Sequence, residues 1–175
     1  YPLGYHGLGD LFVFVFFGVV AVTGAYYVQA VTLLASGIPV WPPEGSITTA
    51  SVVASLPIAA IATNILVVNN VRDREEDATT GKRTLAVRFG YTFSRIQYVA
   101  LFVLAYAVPL WFYARTSDLA VLLPFLSVPL AVSLSKTLFT RTDGEALNPA
   151  LSRNGQLLAL YAVLFGVGLA VAPTE

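Results

Sequence analysis

Five stretches of this chain stay apolar for about as long as a helix needs to cross a bilayer, roughly 20 residues for ~30 Å of hydrocarbon. They run from about Leu11 to Leu34, Thr48 to Val71, Ile96 to Ala114, Leu119 to Leu138 and Gln156 to Ala172. In lipid a backbone must satisfy its own amides. The expected class is therefore all-α, a polytopic transmembrane helix bundle forming one domain over residues 1–175. Pro57, Pro109, Pro124 and Pro129 fall inside the runs and are expected as kinks that neighbouring helices re-satisfy. Composition agrees: 57% of residues are hydrophobic and 11% charged, against about 25% charged in soluble domains. The formal net charge is zero, so no broad basic field recruits nucleic acid. Cysteine is absent, which excludes disulfides, thiolate metal sites and cysteine nucleophiles within these residues.

Orientation follows from the ten Lys and Arg. Six (Arg72, Arg74, Lys82, Arg83, Arg88, Arg95) lie between the second and third runs, and three (Lys136, Arg141, Arg153) flank the turn between the fourth and fifth. The opposite connections hold only Arg115. The positive-inside rule puts the two basic connections in the cytoplasm, with Tyr1 to Asp10 beside them and Glu175 outside. Trp41, Trp111, Phe112 and Tyr113 then fall at the outer interface, where amphipathic aromatics are favoured.

Residues 69–95 are too charged for a simple connector. Asp73 and Asp77 stand four apart at a helix end, a spacing that turns both carboxylates the same way. Mg2+ suits such a pair, because it keeps several waters and takes one or two protein carboxylates plus phosphate oxygens. Lys82 and Arg83 follow as candidate phosphate contacts. Asn64, Asn69 and Asn70 sit in the last turns of the preceding span, where an amide facing lipid is costly and a polar cavity is the expected surrounding. The plainer reading of the acids is a solvated segment that neutralises Arg72 and Arg74. Thr79-Thr80-Gly81-Lys82 reads as a turn, and Thr84 to Phe89 as a short helix ending at Gly90.

The run from Asn69 to Gly90 resembles the second aspartate-rich motif of the UbiA superfamily of membrane prenyltransferases. Within it the likeness is to the menaquinone-pathway branch that acts on 1,4-dihydroxy-2-naphthoate. Tyr1-Pro2-Leu3-Gly4-Tyr5-His6-Gly7-Leu8-Gly9-Asp10, Gly24-Ala25-Tyr26-Tyr27-Val28-Gln29 and Ala146-Leu147-Asn148-Pro149 carry the same resemblance. His6 stands where that branch often has Arg. The resemblance implies nine membrane helices in the cell inner membrane and two cytoplasmic aspartate-rich motifs, the first upstream of Tyr1. With methionine absent, the expectation is a C-terminal piece that is inactive without the N-terminal helices of the same protein. Also implied are Mg2+ on Asp73 and Asp77, and polyprenyl diphosphate held by Arg72 and Lys82 beside Asn69 and Asn70. Tyr26, Tyr27 and Gln29 are then candidates for shielding an allylic cation or orienting the aromatic acceptor.

A competing class is a secondary transporter, whose charged cytoplasmic loop would gate conformations instead of holding metal. Against it, no glycine precedes the Asp73-Arg74 step. A non-catalytic helical membrane scaffold is the remaining option. The orientation itself is testable, since the lack of cysteine makes single-cysteine labelling clean. A membrane-impermeant maleimide should reach Thr80→Cys from the cytoplasmic side only and Ser117→Cys from the other side only; the reverse pattern would invert the topology.

Overall fold

The computed structural model describes residues 3–34, 39 and 41–172; Tyr1, Pro2 and Glu175 lie outside them. A 3-10 turn, Leu3–His6, leads into α1 (Gly9–Leu34) and α2 (Thr49–Arg72). The short α3 (Arg74–Thr79) precedes α4 (Leu85–Thr116), α5 (Leu119–Thr140) and α6 (Gly144–Val171). All of these except α3 are long and apolar enough to cross a membrane.

Local chemistry sets the starts of the helices. Thr48 and Ser51 form a reciprocal capping box, the Thr48 hydroxyl accepting from Ser51 N at 3.0 Å and Ser51 Oγ from Thr48 N at 3.1 Å. Asp118 and Asp143 accept from Ala120 N at 2.7 Å and Ala146 N at 3.0 Å. The cap at Asp143 starts α6 well before Gln156, where hydropathy alone placed the fifth span. Thr84 likewise caps Val87 N at 3.3 Å, so α4 begins at Leu85 and not near Ile96. Gly90, at φ 80° and ψ −179°, separates that first short stretch from the span proper, a conformation that needs glycine. The expected Thr84 to Phe89 helix is thus present, joined at an angle to the third span. Pro124 and Pro129, which cannot donate to the preceding turns, accompany a change within α5 from 3-10 helix over Leu119–Ser127 to α-helix over Val128–Thr140. In α1 the stretch Val13–Val20 is π-helical.

α2 lies at the centre, against α1, α4 and α6. Its Ala59, Ala60 and Ile61 are wholly buried, as are Tyr98 of α4 and Leu157 and Tyr161 of α6. Small residues allow the closest approaches: a Cβ on Gly18 would fall on Ala59, and one on Gly168 on the Ala120 carbonyl. Several polar groups inside the bundle pair across helices, although Asn64 Oδ1 has no hydrogen-bond partner. Asn64 donates to Tyr98 O at 3.1 Å, the Tyr98 hydroxyl to Asn154 Oδ1 at 2.9 Å, and the Tyr161 hydroxyl to Ala105 O at 2.6 Å. The second half of α1, Ala21–Leu34, buries none of its residues.

The up-and-down course brings the chain start, the 73–84 segment and the α5–α6 turn to one rim, as the sequence led one to expect. Arg83 N donates to Tyr5 O at 2.9 Å, and Arg95 Nε reaches Leu138 O at 3.0 Å. At the other rim the Arg115 guanidinium lies 4.1 Å from the centre of the Trp111 ring.

The Gly18 contact can be tested against an internal control. Gly18→Val should lower the thermal midpoint markedly, in keeping with overpacking losses of about 1–3 kcal/mol or more. Gly24→Ala, where nothing lies within 4 Å, should be neutral or slightly stabilising, because alanine is the better helix former. Equal midpoints for the two variants would contradict the packing.

Candidate active site

Residues 69–95 are mostly helical. Asn69 to Arg72 end α2, Arg74 to Thr79 form α3, and α4 begins at Leu85. Asp73 is the joint between α2 and α3, at φ −92° and ψ 4°, so Asp73 and Asp77 do not sit on one uninterrupted helix. Their backbones are nevertheless one turn apart, with Asp77 N donating to Asp73 O at 2.8 Å. Lys82 N then closes on Asp77 O at 2.9 Å, and Gly81 at φ 75° makes the turn, as the Thr79 to Lys82 pattern required.

Two arginines on either side of the joint hold it between helices. Arg72 is forked onto Asp73, with Nε 2.6 Å from Oδ1 and Nη2 2.8 Å from Oδ2. The same guanidinium donates to Asn69 Oδ1 at 2.8 Å and across to Asn148 Oδ1 of α6 at 2.8 Å. Arg74 turns the other way, its Nε donating to Ala86 O at 2.9 Å and its guanidinium lying 4.6 Å from the centre of the Tyr91 ring. Glu75 accepts from both Arg74 and Tyr91, which fixes α3 onto α4.

The two acids are therefore unlike. The hydrogen bonds from Arg72 hold the Asp73 carboxyl below its usual value of 3.8, the effect of an adjacent fixed cation. Asp77 is buried, 6% exposed. Its Oδ1 lies 3.1 Å from Lys82 Nζ, while its Oδ2 has no hydrogen-bond partner. A buried carboxylate oxygen left open is costly and is the kind of atom a cation would satisfy. On that observation the open Oδ2 of Asp77 suits one ligand position of a hard divalent ion that brings its own waters and phosphate oxygens, whereas both Asp73 oxygens already accept from Arg72. It does not form a closed metal cage: among the described residues no three His, Cys, Asp or Glu side chains are grouped to hold a metal.

Below the acids a cleft of about 490 Å3 runs between α1, α2 and α6, walled by Val13, Phe17, Ile65, Leu66, Leu151 and Leu158, with Asn69 as its polar member. Arg72, Asn69, Asp73, Asp77 and Lys82 thus gather at one rim. Asn70, 5% exposed, faces away from Arg72 and toward α1, its Nδ2 3.4 Å from Asp10 Oδ2. Tyr26, Tyr27 and Gln29 are not part of this cluster. They lie near the far end of α1, some 24 Å or more along the helix from Asp10 at ~1.5 Å per residue. Tyr26 and Gln29 are exposed there, and Gln29 donates to its own helix at Ala25 O.

Asp10 escaped the sequence reading as a site residue. It is 5% exposed and also accepts from Gln97 Nε2 of α4 at 3.2 Å. Its one signal was being the sole acid in the first apolar run and its approach, the kind of residue that marks function in a membrane segment.

Comparison with known proteins adds a family. The profile described as the UbiA prenyltransferase family matches residues 1–160. The chain is similar to 1,4-dihydroxy-2-naphthoate octaprenyltransferase of Haemophilus influenzae, 32% identical over 97% of this chain and 51% of the relative. It is similar to the protein of the same name from Escherichia coli, 33% identical over 96% and 50% of the two chains. UbiA prenyltransferase domain-containing protein 1 of Homo sapiens is 32% identical over 97% of this chain and 44% of its own. The chain spans about half the length of the curated relatives it matches.

The Arg72 fork predicts a pH-dependent loss. Arg72→Ala removes hydrogen bonds to Asn148 and Asn69 as well as the ion pair, and should lower stability by about 1–2 kcal/mol near pH 7. The ion-pair share is present in full above the ordinary carboxylate value of 3.8 and fades as pH falls through the lower folded value. Detergent-solubilised wild type and variant should therefore differ by a constant amount between about pH 6 and pH 8 and converge in part below about pH 4. A gap that widens in acid would show that Arg72 does not stabilise the ionised Asp73.

Proposed function

Because the chain belongs to the UbiA prenyltransferase family, an integral multi-pass membrane family, we propose that it is the part of a magnesium-dependent enzyme that moves a polyprenyl group from polyprenyl diphosphate to an aromatic acceptor. The acceptor we favour is 1,4-dihydroxy-2-naphthoate, which places the reaction in menaquinone biosynthesis; the names of the bacterial relatives support this choice. The observation that carries the reading is the open, buried Oδ2 of Asp77 one turn from Asp73, on the rim whose Asn69 also lines an apolar cleft. A transporter loop that only gates conformations would have no use for such an oxygen.

Asp73 and Asp77 are the residues that would hold Mg2+ together with diphosphate oxygens, and the ion would supply positive charge to the leaving group as the allylic C–O bond breaks. Lys82 keeps a second positive charge at the same place through its contact with Asp77. Arg72 is already shared among Asp73, Asn69 and Asn148. Its part is to orient Asp73 and to present its remaining hydrogen-bonding capacity toward the diphosphate. The apolar walls of the cleft accommodate the prenyl chain and keep water from the electron-deficient carbon. Tyr26, Tyr27 and Gln29, at the far end of α1, serve the distal wall of that channel and not the reacting carbon. The remaining half of the enzyme supplies the other wall, and the rim bearing these acids faces the cytoplasm.

The test is kinetic, in the protein expressed from its complete reading frame. Asp77→Asn and Asp73→Asn should each reduce prenyl transfer by at least about 100-fold with the thermal midpoint retained, as expected when a ligand to the charge-stabilising ion is lost. Lys82→Ala should raise KM for the polyprenyl diphosphate more than KM for the aromatic acceptor. Near-normal turnover in both Asp variants would return the segment to a solvated, structural role.

A further inference from the structure

Resting on the reading just given, the geometry points to Asp10 as the group that receives the hydroxyl of the aromatic acceptor, with Asn70 and Gln97 orienting its carboxylate. Asp10 is buried in a membrane bundle yet meets only neutral amide donors in its hydrogen bonds, Gln97 at 3.2 Å and Asn70 at 3.4 Å. A carboxylate offers about four lone-pair directions, and two amides use two of them. The Asn70 contact is also long for an N–H···O bond, which clusters near ~2.9–3.0 Å. With its own backbone N–H also beside the carboxylate, accepting capacity is still left for one more donor, and a phenolic O–H to carboxylate bond belongs to the strong, charge-assisted kind.

Asp10 lines a recess of about 60 Å3 with Gly7, Gly9, Leu66, Asn70, Lys82 and Thr84, its walls mostly apolar and its polar groups few. Its volume suits the hydroxylated edge of a ring and not a whole bicyclic acceptor. The recess is built and not incidental. Gly7 at φ 75° brings the chain so near the 82–85 segment that a Cβ there would sit 2.9 Å from Arg83 O, and the Arg83 N to Tyr5 O bond at 2.9 Å holds that approach. Leu66 lines both the recess and the apolar cleft. One side chain thus separates the place for the acceptor's polar edge from the place for the prenyl chain, so the two substrates would meet across it. Lys82 borders the recess and also pairs with Asp77, which connects the acceptor's position to the diphosphate end.

A purely structural role would require of Asp10 only that it join three helices, which an asparagine could also do by turning the facing amides. The experiment uses this difference, in the protein from its complete reading frame in nanodiscs, with polyprenyl diphosphate, 1,4-dihydroxy-2-naphthoate and the mono-O-methyl ethers of that acceptor. Asp10→Asn should raise KM for the acceptor at least tenfold, leave KM for polyprenyl diphosphate within twofold, and erase the wild-type preference for the free hydroxyl over at least one ether. Gln97→Leu, which keeps the carboxylate but removes one of its orienting donors, should raise acceptor KM severalfold and serves if the first variant does not fold. Acceptor KM and ether discrimination unchanged from wild type in either folded variant would overturn the assignment alone. So would a parallel rise of both KM values with a lowered thermal midpoint, which marks a structural lock. Wild-type protein that transfers to no hydroxylated aromatic would instead overturn the prenyltransferase reading and this assignment with it.

Discussion

A peptide group in hydrocarbon has no water to bond to, and everything described here depends on that constraint. It forces the five apolar runs into helices and confines the departures from helical geometry to a few places where another group takes over. Thr48, Thr84, Asp118 and Asp143 supply side-chain acceptors at helix starts. Some polar side chains in the bundle are answered from a second helix, as Asn64, Tyr98 and Asn154 show, and others, such as Ser55 and Thr63, from their own. The charged residues therefore collect at the rim, where Arg72, Arg74 and Lys82 pair with Asp73, Glu75 and Asp77.

The two acids of the rim show how neighbouring positions acquire different work. Asp73 interrupts the helix and is neutralised by a forked arginine, so its position is fixed before any ligand arrives. Asp77, one turn later, is turned inward with one oxygen paired and the other open. A fixed anion and a buried carboxylate oxygen with no hydrogen-bond partner thus stand one helical turn apart.

Hydropathy and charge placement were enough to find the helices and to bring the chain start, the acidic segment and the α5–α6 turn to one side. They missed where α4 and α6 begin, because those starts depend on single caps at Thr84 and Asp143 and not on apolar content. The four-residue spacing of Asp73 and Asp77 presumed a continuous helix, whereas the chain breaks at Asp73, at φ −92° and ψ 4°. Asp10 was not legible as a site residue. Its significance comes from partners 60 and 87 positions away, which no local pattern contains. Tyr26 and Tyr27 show the converse: an adjacent aromatic pair suggests a wall beside the acids, while the length of α1 sets the pair far from them.

The π-helical stretch in α1 has a geometric consequence of its own. A helix bonded over five residues turns less per residue than one bonded over four, so the eight residues Val13–Val20 lag behind the α-helical rotation. The face that presents Asp10 to Asn70 and the face that α1 presents beyond Val20 are thereby offset in phase, with Gly18, inside the stretch, set against Ala59. The stretch works like a slipped thread between two screws. A substitution in Ala21–Leu34, which buries none of its residues, can therefore alter the far half of α1 without turning the carboxylate of Asp10.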